Sequence, residues 1–170
     1  GYQRALRSRN RLLRQPPPDR AQIEALEEIL AKLGARIVRT RAQIVAETGP
    51  LAARAYAAVA EGRQALVIGY AASVAAAADA TDLAQTEEAL RAALEAGRAI
   101  DAQRRSTRLG PHADEVQLWL DGRLARHAAS QGEQRAIVLA WKIASAEWLA
   151  GRTGLWPILL LDAVSSALDA

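Results

Sequence analysis

The chain has 170 residues, 51% hydrophobic and 24% charged, which suffices for a buried core and argues against disorder. Its formal charge of +3 and pI near 9.8 come from Arg far more than Lys, a balance that leans towards phosphate or nucleic-acid partners. The absence of cysteine excludes disulfides and thiolate metal sites, the two histidines have no second ligand nearby for zinc, and no apolar run approaches the roughly 18 residues of a membrane span.

Residues 1–14 carry Arg4, Arg7, Arg9, Arg11 and Arg14 with Leu6, Leu12 and Leu13 between them, which predicts a basic helix stopped at Gln15-Pro16-Pro17-Pro18. Asp19 then serves as an N-cap, and Ile23, Leu26, Ile29, Leu30, Leu33, Ile37, Ile44 and Val45 recur at helical spacing up to Gly49-Pro50. A long amphipathic helix follows from this, with a bend expected at Gly34 and a separate short helix over residues 51–60. The apolar run 65–70 predicts a strand, and Thr81 or Asp82 caps a further long helix through Leu83, Leu90, Leu94 and Ile100. On pattern alone, the first hundred residues fit a helical packing module as well as a binding surface.

The texture changes after Arg105. Residues 115–120 alternate in polarity, and Asp121-Gly122 predicts a two-residue hairpin turn with a strand returning through Arg123 to His127. A polar loop, Ala129-Ser130-Gln131-Gly132, opens a helix expected from Glu133 to about Ala150. After the break at Gly151 to Gly154, residues 158–162 form a continuous apolar run ending in Asp162, the pattern of a buried parallel strand. An α/β core is therefore expected here, with residues 1–105 as a helical lobe and 106–170 as a second domain.

Two features of this second part carry chemistry. A serine hydroxyl and a glycine at a helix start present N–H donors and a favourable dipole to an anion such as a terminal phosphate. An aspartate at the carboxyl end of a buried strand is placed to hold magnesium beside a nucleotide. Gly132 alone reads more readily as a helix-entry glycine than as a phosphate contact, and apolar runs ending in Asp are common. Their order, with Ser165-Ser166-Ala167-Leu168-Asp169 following, is more specific.

With those motifs together, the sequence resembles the RecF family of DNA-repair ATPases. SQGEQ resembles the ABC signature in its RecF form, ILLLD the Walker B strand and SALD the D-loop. TRLGPHADEV resembles the family's GPHRDD segment, and YQRALRSRNRLLR and LGARIVRTR resemble text of its helical lobe. The resemblance implies an α/β ABC-ATPase head fragment of P-loop NTPase type, like the heads of SMC proteins, with a mainly helical second lobe. It implies ATP and Mg2+ as cofactors and a homodimer closed around ATP. Ser130, Gln131, Gly132, Glu133 and Gln134 would meet a nucleotide held by the other subunit, Asp162 would serve the magnesium, and Ser166 and Asp169 would line the interface. Partners implied are DNA, RecR- and RecO-type mediators and RecA, whose loading the family promotes, in the cytoplasm and away from membranes.

Departures from the family pattern are informative. Ala163 stands where the family carries the acid that polarises attacking water, so severely slowed hydrolysis is expected. Ala113 replaces an arginine after Gly110-Pro111-His112. No G-x-x-x-x-G-K-S/T motif occurs in the sequence, and alone the chain is expected to hydrolyse nothing. Because it opens with Gly1 and lacks Phe and Met, a fragment or an edited chain is expected.

Residues 1–41 hold ten basic side chains against four acids, net +6. Arg4, Arg7, Arg11, Arg14, Arg36 and Arg39 are the candidate contacts to a DNA backbone. Solvation of helices, or pairing with those acids, is the competing account. His112 reads either as a nucleotide-adjacent contact or as a turn histidine satisfied by backbone. The functional alternatives are a non-catalytic helical interaction module or pseudo-ATPase fragment and, third, a transporter nucleotide-binding domain, which the long basic lobe disfavours.

Overall fold

A computed structural model of the chain describes residues 1–15, 19–60 and 64–160. The chain divides into two units, Gly1–Ala42 with Ala71–Glu115, and Gln43–Tyr70 with residue 116 onwards. Both units draw on residues before and after position 105.

In the first unit, helix α1 (Tyr2–Leu12) buries Tyr2, Ala5, Leu6 and Leu12. Tyr2, Ala5 and Leu6 pack with Leu30 of α2 (Arg20–Val59) and with Leu94, while Leu12 and Leu13 pack with Ile23. A short helix, α3 (Ala75–Asp79), precedes α4 (Leu83–Arg104). Two of these helices begin as their sequences predict. Asp19 accepts from Gln22 N–H at 3.0 Å, and Asp82 accepts from Gln85 N–H at 2.8 Å.

Arg9 turns inward from α1 and is fully enclosed. Its Nη2 donates to Glu27 Oε1 at 2.8 Å, and its Nη1 to Asp101 Oδ2 at 2.8 Å and Thr107 Oγ1 at 2.7 Å. The second oxygen of Glu27 pairs with Arg98 at 2.6 Å, and Asn10 Oδ1 accepts from both the N–H and the hydroxyl of Thr107. Each charge removed from water thus meets an opposite charge in good geometry, the condition under which a buried ion pair is tolerated.

The expected break at Gly49-Pro50, with a separate helix after it, is corrected by the continuous helix α2. Gly34 is buried, and a Cβ there would lie 3.1 Å from Leu90 Cδ1, so this glycine serves close packing. At Pro50 one ladder bond is lost, yet Thr48, Gly49 and Ala52 around it are buried, and Thr48 Oγ1 donates to Ile44 O at 2.7 Å. Tertiary burial outweighs the roughly 3 kcal/mol that an interior proline costs a helix.

The second unit is built on a three-stranded sheet of order β1-β2-β3, made of β1 (Leu66–Ala71), β2 (Glu115–Leu120) and β3 (Arg123–Leu124). Strands β2 and β3 pair antiparallel with Leu120 opposite Arg123, and Asp121 and Gly122 at φ 46° and 77° make the expected tight turn. The ring of Trp119 lies over Gly69, where a Cβ would come within 2.9 Å of it. The return strand stops at Leu124, short of the expected His127, because 125–128 close into one turn, α5 (Ala125–Ala128), that buries Ala125 in the core. Helix α6 (Gln131–Thr153) covers that core with Ile137, Ala140 and Ala144, against Ala52 and Tyr56.

Two further sequence expectations fail in this unit. The helix begins at Gln131 and not at Glu133, because Ser130 already supplies the cap, and it runs on to Gly154, which ends it at φ 71°. The predicted buried strand over 158–162 is absent from its described part, residues 158–160, where Ile158 and Leu160 are 90% and 86% exposed. A strand needs neighbouring N–H and C=O groups, and among the described residues the sheet offers none beside this run. Asp162, Ala163, Ser166 and Asp169 lie outside the described residues.

A surface cluster joins α2 to α6: Glu47 accepts from the Trp148 indole N–H and from Arg152 at 2.7 Å, and Arg152 stacks 4.5 Å over the Trp148 ring. These donors, Trp148 first and then Gln43 and Arg152, hold the Glu47 carboxyl down to about 2. A depressed carboxyl stabilises the fold above its unfolded value, about 4.3, and loses that contribution as pH falls. The stability difference between the wild type and Glu47→Gln, from urea melts, is therefore expected to be constant above about pH 5 and to shrink towards about pH 2.

Arg9→Leu is expected to cost about 3–5 kcal/mol in the same measurement, because it leaves Glu27 and Asp101 buried without their partner. A loss below about 1 kcal/mol would mean that the network is not what holds α1.

Candidate functional site

Ser130 caps α6 in a reciprocal arrangement: its hydroxyl oxygen accepts from Glu133 N–H at 3.3 Å, and Glu133 Oε2 accepts from Ser130 N–H at 2.6 Å. Gln134 Nε2 donates to Ala129 O at 3.1 Å, bracing the turn from the other side. The Ser130 N–H, followed by the Ser130 side chain, holds the Glu133 carboxyl below the usual carboxylate range. Ser130, Gln131, Gly132 and Gln134 are exposed.

This arrangement leaves specific donors facing outward. The Ser130 oxygen accepts from the Glu133 N–H while its hydroxyl lies within reach of the Glu133 carboxylate, so the serine is held in place at the mouth of the helix. The N–H groups of Gln131 and Gly132 stand before the helix ladder begins and have no acceptor within it. A Cβ on Gly132 would meet nothing within 4 Å, so no described neighbour demands a glycine there. A helix glycine costs about 1 kcal/mol against alanine, and the open space above it admits a group from outside. Together these residues can hold an anion at the positive end of a 23-residue helix.

The six arginines singled out from the sequence separate into two sets. Arg4, Arg7, Arg11 and Arg14 share the outer side of α1 and its exit, all exposed, with no ion-pair partner among the described residues. Arg4, Arg7 and Arg11 line one polar hollow of about 260 Å³ with Ser8. Arg36 and Arg39 lie on α2, where Arg39 donates to Ala80 O at 2.8 Å. Other basic residues of the first 41 are structural: Arg9 is buried, Arg20 pairs with Glu24, and Arg41 donates to Pro111 O. Pairing with acids therefore accounts for part of this charge but not for the α1 stripe. Like charges at helical spacing cost roughly 0.2–0.5 kcal/mol per pair, and Arg4 sits in a first turn where the dipole disfavours a cation. Helix stability alone does not explain them.

His112 is held from both sides, by Tyr2 Oη on Nδ1 at 2.8 Å and by Thr107 O on Nε2 at 3.0 Å. A carbonyl oxygen only accepts, so Nε2 carries the hydrogen and the Tyr2 hydroxyl donates to Nδ1. Both ring nitrogens of His112 are thus occupied within the first unit. Burial, and then the charge of Asp114, raise the Tyr2 phenol above its ordinary value. Gly110 needs its glycine: at φ 127°, a Cβ would approach the Tyr2 hydroxyl within 2.6 Å. The Ser73 hydroxyl bridges the Gly110 N–H and carbonyl at 2.9 and 3.0 Å. Tyr2, Asn10, Ser73 and Asp101 escape the sequence reading, because their partners in this turn lie between 7 and 110 positions away.

No protein-family model matches the chain. Among individual proteins, the chain is similar to curated DNA replication and repair proteins. It is 46% identical to the DNA replication and repair protein RecF of Myxococcus xanthus over 173 residues, and 39% identical to that of Symbiobacterium thermophilum over 168. Each alignment covers 99% of this chain and 45% of the relative, so the chain spans a little under half the length of the curated proteins it matches. A solved structure of the recombination mediator RecF with ATP matches at TM-score 0.88 and 28% identity, over 99% of this chain and 45% of that one. The resemblance to the RecF family read from the motifs is thereby shown, in sequence and in backbone, for the stretch this chain spans.

Ser130→Ala removes an N-cap and is expected to cost about 1 kcal/mol in chemical denaturation, whereas Gly132→Ala is expected to be neutral or stabilising. A destabilising Gly132→Ala would show that the position is kept for folding.

Proposed function

We propose that this chain is part of a RecF-type DNA-repair ATPase and contributes the signature half of an ATP clamp, completed by a second subunit. The observation that carries this reading is the start of α6, where the exposed Ser130 side chain and the Gln131 and Gly132 N–H groups border a glycine with open space above it. That donor set fits a terminal phosphate, which supplies the negative charge that closes one subunit on the other. Glu133 and Gln134 act by holding Ser130 and the turn in place. In the same reading Asp162 holds Mg2+, and Ser166 and Asp169 face the partner across the homodimer.

The exposed Leu155, Trp156, Ile158 and Leu160 support an α/β ABC-type, P-loop head in which this apolar run completes a sheet with polypeptide outside the present chain. Ala163 supports a slow or silent active site, in which ATP controls association more than it is consumed. That residue also favours the second reading, a pseudo-ATPase interaction module. DNA is bound through phosphate by the arginines of α1 that are exposed and unpaired among the described residues, and in the cytoplasm the assembly works with RecR- and RecO-type mediators to promote RecA loading.

The test uses the polypeptide that carries this chain together with a phosphate-binding loop. ATP is expected to drive its dimerisation in sedimentation velocity, and Ser130→Arg to abolish the ATP-dependent dimer without lowering the melting temperature by more than about 5 °C. An unchanged ATP-dependent dimer in that variant would overturn the clamp. The present chain alone is expected to release no phosphate from ATP.

A further inference from the structure

Helix α1 carries arginines at positions 4, 7, 9 and 11 and no acid. Its rotation is set by Arg9, whose guanidinium is enclosed by Glu27, Asp101 and Thr107, and by Tyr2, whose hydroxyl meets His112. With those two side chains turned inward, the spacing of 3 and 4 residues places Arg4, Arg7 and Arg11 on the opposite side, around the Ser8 hydroxyl. These three guanidiniums have no anionic partner among the described residues.

From this we propose that Arg4, Arg7, Ser8 and Arg11 form a built site for the sugar-phosphate backbone of a nucleic-acid strand, one that reads no bases and is distinct from Arg36 and Arg39. The inference rests on the DNA-binding reading above and gives it a location. From Arg4 to Arg11 the helix rises about 10 Å, enough for guanidiniums at its two ends to reach different phosphates of one strand. Guanidinium forks match phosphate oxygens, and the Ser8 hydroxyl adds one neutral donor.

What is missing from this face defines the recognition. Its aromatic residue, Tyr2, is buried against His112, so no ring is offered for base stacking. The side-chain carbonyl of Asn10 is taken by Thr107, which removes the kind of amide that reads adenine. Affinity should therefore be independent of sequence and steeply dependent on salt.

The experiment measures fluorescence anisotropy of labelled oligonucleotides of two unrelated sequences, from 50 to 300 mM KCl, on the full chain. Wild type, Arg4→Ala/Arg7→Ala/Arg11→Ala and Arg36→Ala/Arg39→Ala are compared, with circular dichroism melts as the folding control. The α1 variant is expected to bind at least tenfold more weakly to both sequences, with the salt slope reduced by about 2 to 3. The α2 variant is expected to stay within about threefold of wild type, and inorganic polyphosphate, but not polyglutamate, to displace the oligonucleotide. An α1 variant that binds like wild type while the α2 variant fails would overturn this assignment and leave DNA binding standing. Equal displacement by polyglutamate, or different affinities for the two sequences, would overturn phosphate recognition by α1. A wild type that binds no oligonucleotide would remove the DNA reading itself.

Discussion

Arg9 is fully enclosed, and its guanidinium meets Glu27, Asp101 and Thr107 from three different segments of the first unit. Such a charge can be buried only where every partner is in place, so this contact fixes how α1 is rotated, where α4 ends and how the 107–114 turn is held. The turn closes on α1 a second time through Tyr2 and His112. The arginines left on the outside of α1 follow from that geometry, since one face of a helix cannot be turned inward without presenting the other.

The second unit shows the same logic on a smaller scale. The reciprocal bonds between Ser130 and Glu133 satisfy donors that the start of α6 would otherwise leave open, and they stop short of Gln131 and Gly132. What remains is a small set of backbone donors at the positive end of a long helix. The cap and the donors proposed to meet an anion thus share one turn.

Much of this was legible from residue patterns. Asp19, Asp82 and Asp121-Gly122 announce the helix starts and the turn, because caps and tight turns are local chemistry. Non-local packing was not legible. Gly49-Pro50 looks like a break in a helix, yet burial on either side of it carries α2 through. Arg9 looks like its neighbours Arg7 and Arg11, and only the acids 18 and 92 positions away make it structural. The apolar run at 158–160 reads as a buried strand because its composition suits one, but a strand also needs neighbours that the described residues do not supply.

The central claim is that the start of α6 touches a phosphate held by another polypeptide. The most direct test follows the amide signals of Gln131 and Gly132 in the isotope-labelled chain as a partner bearing a phosphate-binding loop is added with a non-hydrolysable ATP analogue. Both signals are expected to move far more than those elsewhere on α6, and only when nucleotide is present. Complex formation that leaves these two amides unmoved would contradict the account.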